Sequence, residues 1–167
     1  MAKLIRNRAV ESDDWVILQA ASGIDVFPAL RGRKVILPLS LFLLEEEEAR
    51  LQLSEIGVWL DSHENIKHIA GRLNDLPLIA LNFPVFSDGR PYSTAKKLRA
   101  DLKFGGEIRA IGDVLRDQLC YLERCGFNSF AIRADQEPEE CLSAFSDFSD
   151  TYTSTTLQDQ PLFNRRT

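Results

Sequence analysis

The chain has 167 residues, 44% of them hydrophobic and 27% charged, proportions that allow one domain with a sizeable core and exclude a chain disordered throughout. Its 20 Lys and Arg against 25 Asp and Glu leave a formal net charge of −5, without the basic surplus of a general nucleic-acid binder.

The first thirty or so residues carry little pattern; Trp15 to Leu18 is a candidate short strand. Lys34 to Leu39 is a buried strand, and Ser40 is placed to cap a helix from about Leu41 to Leu53. The acidic run Glu45 to Glu48 lies near the start of that helix, where its dipole favours negative charge. From Gly57 the pattern becomes regular. Val58 to Leu60 is apolar, Ser62 follows, and Ile66, Ile69, Ala70 and Leu73 form a helical stripe. Leu78 to Leu81 is the next strand, and a loop rich in Pro, Gly, Asp and Ser runs from Asn82 to Tyr92. Ser93 is an N-cap candidate for a helix carrying Ala95, Leu98 and Leu102. Gly105-Gly106 breaks it before the strand Glu107 to Ile111. Gly112-Asp113 leads into a helix with Leu115, Leu119 and Leu122, stopped by Gly126. Ser129 to Arg133 is a further strand, Pro138 opens a last helix, and Thr151 to Thr156 is an edge-strand candidate.

Four successive βα units imply an α/β fold with a mainly parallel sheet and right-handed crossovers. The chain is too short for a complete eight-unit barrel, which needs roughly 200 residues or more. An open doubly wound sheet and a half-barrel, a partial TIM-like arrangement that pairing of two copies could complete, both remain open. The expected organisation is one domain over residues 1–157 and a loose tail over 158–167.

The N-terminus, MAKLIRNRAVESDDW, has no apolar run after its basic residues, and the most apolar stretch, Val35 to Leu44, is too short to span a bilayer. A cytoplasmic protein without a membrane role is expected. Cys120, Cys125 and Cys141 form no C-x-x-C pair, and His63 and His68 have no ligand spacing to them. No metal and no cofactor are therefore expected. Phosphate-loop, dinucleotide and nucleophile-elbow signatures are also lacking.

Ligands of parallel α/β folds bind at the carboxyl ends of the strands, which directs attention to the stretch from Phe83 to Gln118. The loop Phe83 to Ser93 is long for a βα connection. It places Asp88, Arg90 and Ser93 beside a helix start, a setting suited to an anion. Asp113 is either a helix cap or, with Asp88, an acid/base candidate. Asp117 and Gln118 follow on the polar side of the same helix. Glu107 and Arg109 point to one face of a strand that should otherwise be apolar, so they either line a polar site or pair with charges such as Asp88 or Asp113. Arg133 supplies another charge to the same rim. Arg90, Arg109, Ser93, Arg133, Asp117 and Gln118 are thus the candidates for holding an anion or a partner.

The run Phe83-Pro84-x-Phe86-x-Asp88-Gly89-Arg90-x-Tyr92-Ser93-x-Ala95, with Leu98-Arg99, Gly106-Glu107-Ile108-Arg109-Ala110-x-Gly112-Asp113-Val114-Leu115-x-Asp117-Gln118 and Arg124-Cys125-Gly126-Phe127, resembles the bacterial domain-of-unknown-function family 934. Gly57-Val58-Trp59-Leu60 and Val35 to Leu39 fit as well, so the resemblance covers roughly Val35 to Arg133. Pro91 stands where glycine is more familiar in the family, and Ile108 where leucine is. The resemblance implies a setting beside sulfite reductase and sulfate-assimilation genes, and a label of oxidoreductase involved in sulfite reduction. Three functions follow as alternatives. One is an accessory protein of assimilatory sulfite reduction, partnered by sulfite reductase or its electron donor. Another is a small enzyme binding an oxyanion or phosphorylated metabolite. The last is a non-catalytic binding or regulatory domain.

Overall fold

A computed structural model describes residues 3–147. Eight strands form one sheet: β1 (Lys3–Arg6), β2 (Ala9–Ser12), β3 (Trp15–Ile17), β4 (Lys34–Pro38), β5 (Glu55–Leu60), β6 (Leu78–Phe83), β7 (Glu107–Gly112) and β8 (Ser129–Phe130). Their spatial order is β2-β1-β8-β7-β6-β5-β4-β3. From β3 to β8 the strands are parallel and adjacent in chain order. At the far edge β1 pairs antiparallel with both β8 and β2. The sheet is therefore mixed: five of its seven strand pairings are parallel, in keeping with the mainly parallel sheet expected, and the N-terminal hairpin adds two antiparallel pairings that the sequence pattern does not announce.

β2 and β3 occupy opposite edges, yet only Asp13 and Asp14 separate them in the chain. Consecutive Cα atoms are about 3.8 Å apart, so Ser12 and Trp15 lie within about 11 Å of each other. A flat eight-strand sheet cannot meet that limit, because neighbouring strands are about 4.8 Å apart. The sheet curls into a half-barrel whose edges are brought towards each other within one chain.

Side chains alternate across the curled sheet. Val35 and Leu37 of β4, Val58 and Leu60 of β5, Ile79 and Leu81 of β6 and Ile108 of β7 all point to the outer face. There they share one buried cluster with residues of the helices: Phe42 from α1 (Leu39–Gln52), Leu98 from α2 (Arg90–Ala100) and Leu122 from α3 (Leu119–Cys125). Ile66, Ile69 and Leu73, from the 3-10 helix Ile66–Asp75, join the same cluster. Among the described residues the helices thus lie on the outer face of a half-barrel, one of the two arrangements left open by the sequence. The inner face holds a smaller apolar group around Ile36, Leu78, Ala80 and Ile111.

Three local expectations are corrected. The stripe at Ile66 to Leu73 belongs to a 3-10 helix whose Asn65 side chain accepts from the Lys67 N–H, and Ala70 is exposed. Helix α2 starts at Arg90 and α1 at Leu39, so Ser93 and Ser40 lie inside the helices they were expected to cap. In α2, Pro91 occupies the first turn, where its missing N–H costs no bond. Asp113 does not cap a helix either, since regular helical structure resumes only at Arg116. The edge-strand candidate Thr151 to Thr156 lies outside the described residues.

Candidate functional site

The carboxyl ends of the parallel strands gather three charged groups. In the first, Asp88 accepts from Arg90 Nε at 2.9 Å and from the Arg90 backbone N–H at 3.0 Å. The carboxylate side chain is only 7% exposed, against 60% for the arginine. The Arg90 guanidinium, then the Arg90 amide and the Ser62 hydroxyl, hold the Asp88 carboxyl well below the usual carboxylate range against the opposing effect of burial. In the second group, Arg133 Nη1 meets Asp113 at 2.8 Å and Nε meets Asp135 at 2.7 Å. Hydrogen bonds from Arg133 keep Asp135 ionised to lower pH than usual.

The third group joins Asp113 to the loop before α2. Asp113 Oδ2 accepts the Phe86 N–H at 2.9 Å, and Gln118 Nε2 donates to the Phe86 carbonyl at 2.8 Å and to the Tyr92 hydroxyl at 3.1 Å. Gln118 Oε1 accepts the Leu115 N–H at 2.8 Å. Both backbone groups of Phe86 are therefore fixed by side chains from the strand–helix junction that follows β7. The Phe86 and Val85 side chains remain 55% and 52% exposed. Gln118 is buried, not on the polar helix side where the pattern placed it. Asp117 and Ser93 are exposed nearby.

Arg109 lies apart from this rim. It is fully buried on the inner face, where Nη1 meets Asp13 at 2.9 Å and Nε meets Glu107 at 2.8 Å. Glu107 also meets Arg6 Nε at 3.1 Å. Arg109 thus reaches across the curl to the β2–β3 joint, near the amino ends of the strands. Asp88 and Asp113 pair with Arg90 and Arg133 instead.

A cavity of about 320 Å³ opens on the inner face at the carboxyl ends, lined by Ile17, Gln19, Trp59, Asn82, Ile111 and Gly112 among others. Trp59 donates its indole N–H to the Leu18 carbonyl at 2.8 Å. Asn82 donates to Asp61 Oδ1 at 3.1 Å. Gly112 has φ 91°, and a Cβ there would collide with Asn82 Oδ1 and the Phe83 carbonyl, so only glycine lets β7 end so close to β6. Sequence reasoning passed over Trp59, Asn82 and Gln19. The signal was available for two of them: Trp59 and Asn82 sit at odd and even positions that face inward on neighbouring parallel strands, near their carboxyl ends.

The motif residues quoted for the resemblance, Phe86, Tyr92, Asp113 and Gln118, therefore converge on one clamp. A family model described as bacterial protein of unknown function (DUF934) matches residues 57–163. The chain belongs to this family. No curated protein and no solved structure matches it significantly. The family match begins inside β5 and contains the whole clamp, whereas Asp13, Ile17 and Gln19 precede it. Among the described residues no helix is long and apolar enough to cross a membrane, and no group of His, Cys, Asp and Glu is arranged to hold a metal ion. The three cysteines are buried thiols, and burial pushes Cys125 and Cys141 above the usual thiol range.

Proposed function

We infer that this chain is a cytoplasmic accessory protein of assimilatory sulfite reduction, acting by contact with sulfite reductase or its electron donor. The pathway comes from the family resemblance. The mode of action rests on one structural observation: the arginines suited to an oxyanion are each spent on carboxylates of the chain itself, Arg90 on Asp88, Arg109 on Asp13 and Glu107, and Arg133 on Asp113 and Asp135. Each of these guanidinium charges is already offset by at least one carboxylate, which weakens its pull on a further anion. Beside them the clamp presents Val85 and Phe86 outward on a fixed backbone, the kind of pre-ordered apolar contact that anchors protein interfaces.

The deciding experiment combines genetics with binding. A clean deletion strain is grown on sulfate, sulfite, sulfide or cysteine as its sole sulfur source, and the purified chain is mixed with the purified reductase and its donor. Failure on sulfate and sulfite with rescue by sulfide or cysteine, together with a complex that Phe86→Ser weakens, supports the proposal. A melting temperature raised by sulfite, sulfate or phosphate, in a strain with the same growth defect, would favour the small oxyanion- or phosphate-binding enzyme. Normal growth on all four sources would leave a binding or regulatory domain outside sulfur metabolism.

A further inference from the structure

We propose that the inner-face cavity at the carboxyl ends of β3, β5, β6 and β7 is a binding site for a small, neutral, planar ring. Its position is where parallel α/β folds place their ligands. Its volume, about 320 Å³, lies at the lower end of the range for small-molecule sites. Trp59 is held by its hydrogen bond to Leu18, so the ring presents a fixed face at little entropic cost. Its register neighbour on β6 is Ala80, whose methyl group is too short to cover an indole. Ile17 and Ile111 close the sides, and aromatic rings stack well on such a surface.

The polar groups define the charge of the ligand. None of the residues lining the cavity carries a charge. Asp61, tied to Asn82 at the wall, adds negative potential that opposes an anion. The Gln19 amide, exposed at the mouth, offers a donor and an acceptor to the edge of a ring. This site is independent of the clamp at Phe86 and of any contact with a reductase.

The test uses the full chain labelled with nitrogen-15, and indole as the neutral probe with indole-3-acetate as its anionic counterpart. The chain contains two tryptophans, and Trp15→Phe assigns the side-chain N–H signals. Indole should shift the Trp59 signal saturably and leave that of Trp15 in place. Indole-3-acetate should bind at least tenfold more weakly. Gln19→Trp, at an exposed position that does not burden folding, should occlude the mouth and weaken indole binding at least tenfold. The proposal is overturned by the lack of a saturable Trp59 shift up to the solubility of indole, by equal affinity for the two probes, or by undiminished binding in Gln19→Trp.

Discussion

Asp13 and Arg109, 96 residues apart in the chain, meet at 2.9 Å inside the curled sheet. The arginine is fully buried and the aspartate side chain 10% exposed. Asp13 also accepts the Trp15 N–H at 3.2 Å, so one carboxylate orients the start of β3 and neutralises a charge in the interior.

Removing one member of a buried pair leaves the other uncompensated, at a cost of about 3–5 kcal/mol. Arg109→Ala, which strands the Asp13 carboxylate, is expected to lower the unfolding free energy by an amount in that range, and Asp13→Ala by less, because Glu107 still holds the guanidinium. The double variant should lose less than the sum of the two, since the second substitution removes a charge already stranded. Urea denaturation of the three variants checks this. Additive losses would show that the pair is not coupled.

The clamp predicts a local effect. Asp113→Ala deprives the Phe86 N–H of a charged acceptor, an interaction worth about 1.5–3 kcal/mol. Since about 1.4 kcal/mol is a factor of ten, amide exchange at Phe86 should accelerate at least tenfold. Exchange at Ile108 and Ala110, in the centre of the sheet, should stay unchanged. Amide exchange followed by NMR reads both. An unchanged Phe86 rate would remove the structural role given to Asp113.

The depressed Asp88 carboxyl carries a pH signature. A carboxyl whose folded value lies below its unfolded one, about 3.9 for aspartate, stabilises the fold fully above that pH. The contribution is lost as the pH falls towards the folded value. Asp14, Glu46, Asp135 and Glu139 are depressed as well, so the whole chain should weaken steeply below about pH 4. Asp88→Asn should flatten part of that slope while lowering stability at pH 7. Urea midpoints across pH 2.5–7 would show a slope identical to wild type if the Arg90 contact did not matter.

Two glycines give a matched contrast. Gly112→Ala must place a Cβ against Asn82 Oδ1 and the Phe83 carbonyl at φ 91°, and the left-handed conformation alone costs about 1–2 kcal/mol. Gly89→Ala meets nothing within 4 Å and has φ −83°, so it should be neutral or slightly stabilising. Thermal melts of the two variants separate steric demand from mere loss of glycine.

The middle of the fold was legible in the sequence because β4 to β7 are short apolar runs between turn signals, and their sequential pairing follows from repeated βα units. The N-terminal hairpin was not. Its strands read KLIR and AVES, half exposed and without the continuous apolar character of a buried parallel strand. That Glu107 and Arg109 share one face followed from strand alternation, but the identity of Asp13 as a partner did not. No local pattern links residues that meet only when the sheet curls. Ser93 and Ser40 misled for another reason: Pro91 fits the first turn of α2, and the extended Pro38 immediately precedes α1, so both helices start ahead of these serines. The Phe83 to Gln118 stretch was identified by its place after the strands, its loop length and its charged residues, while the linkage of Asp113 and Gln118 to Phe86 needed three dimensions.

The pairing of β1 with β8 also governs the order in which this sheet can be completed on the ribosome. Ile5 of β1 pairs with Phe130 of β8, a strand synthesised about 125 residues later, which takes roughly 6 to 25 s at ordinary elongation rates. For that interval the N-terminal hairpin has no sheet to join, and afterwards β8 is left as a bare edge until the hairpin arrives. An unpaired edge is a template for association with other chains. A bulky fusion placed ahead of Lys3 would obstruct this final step, so production of the protein is better served by a tag at the other end.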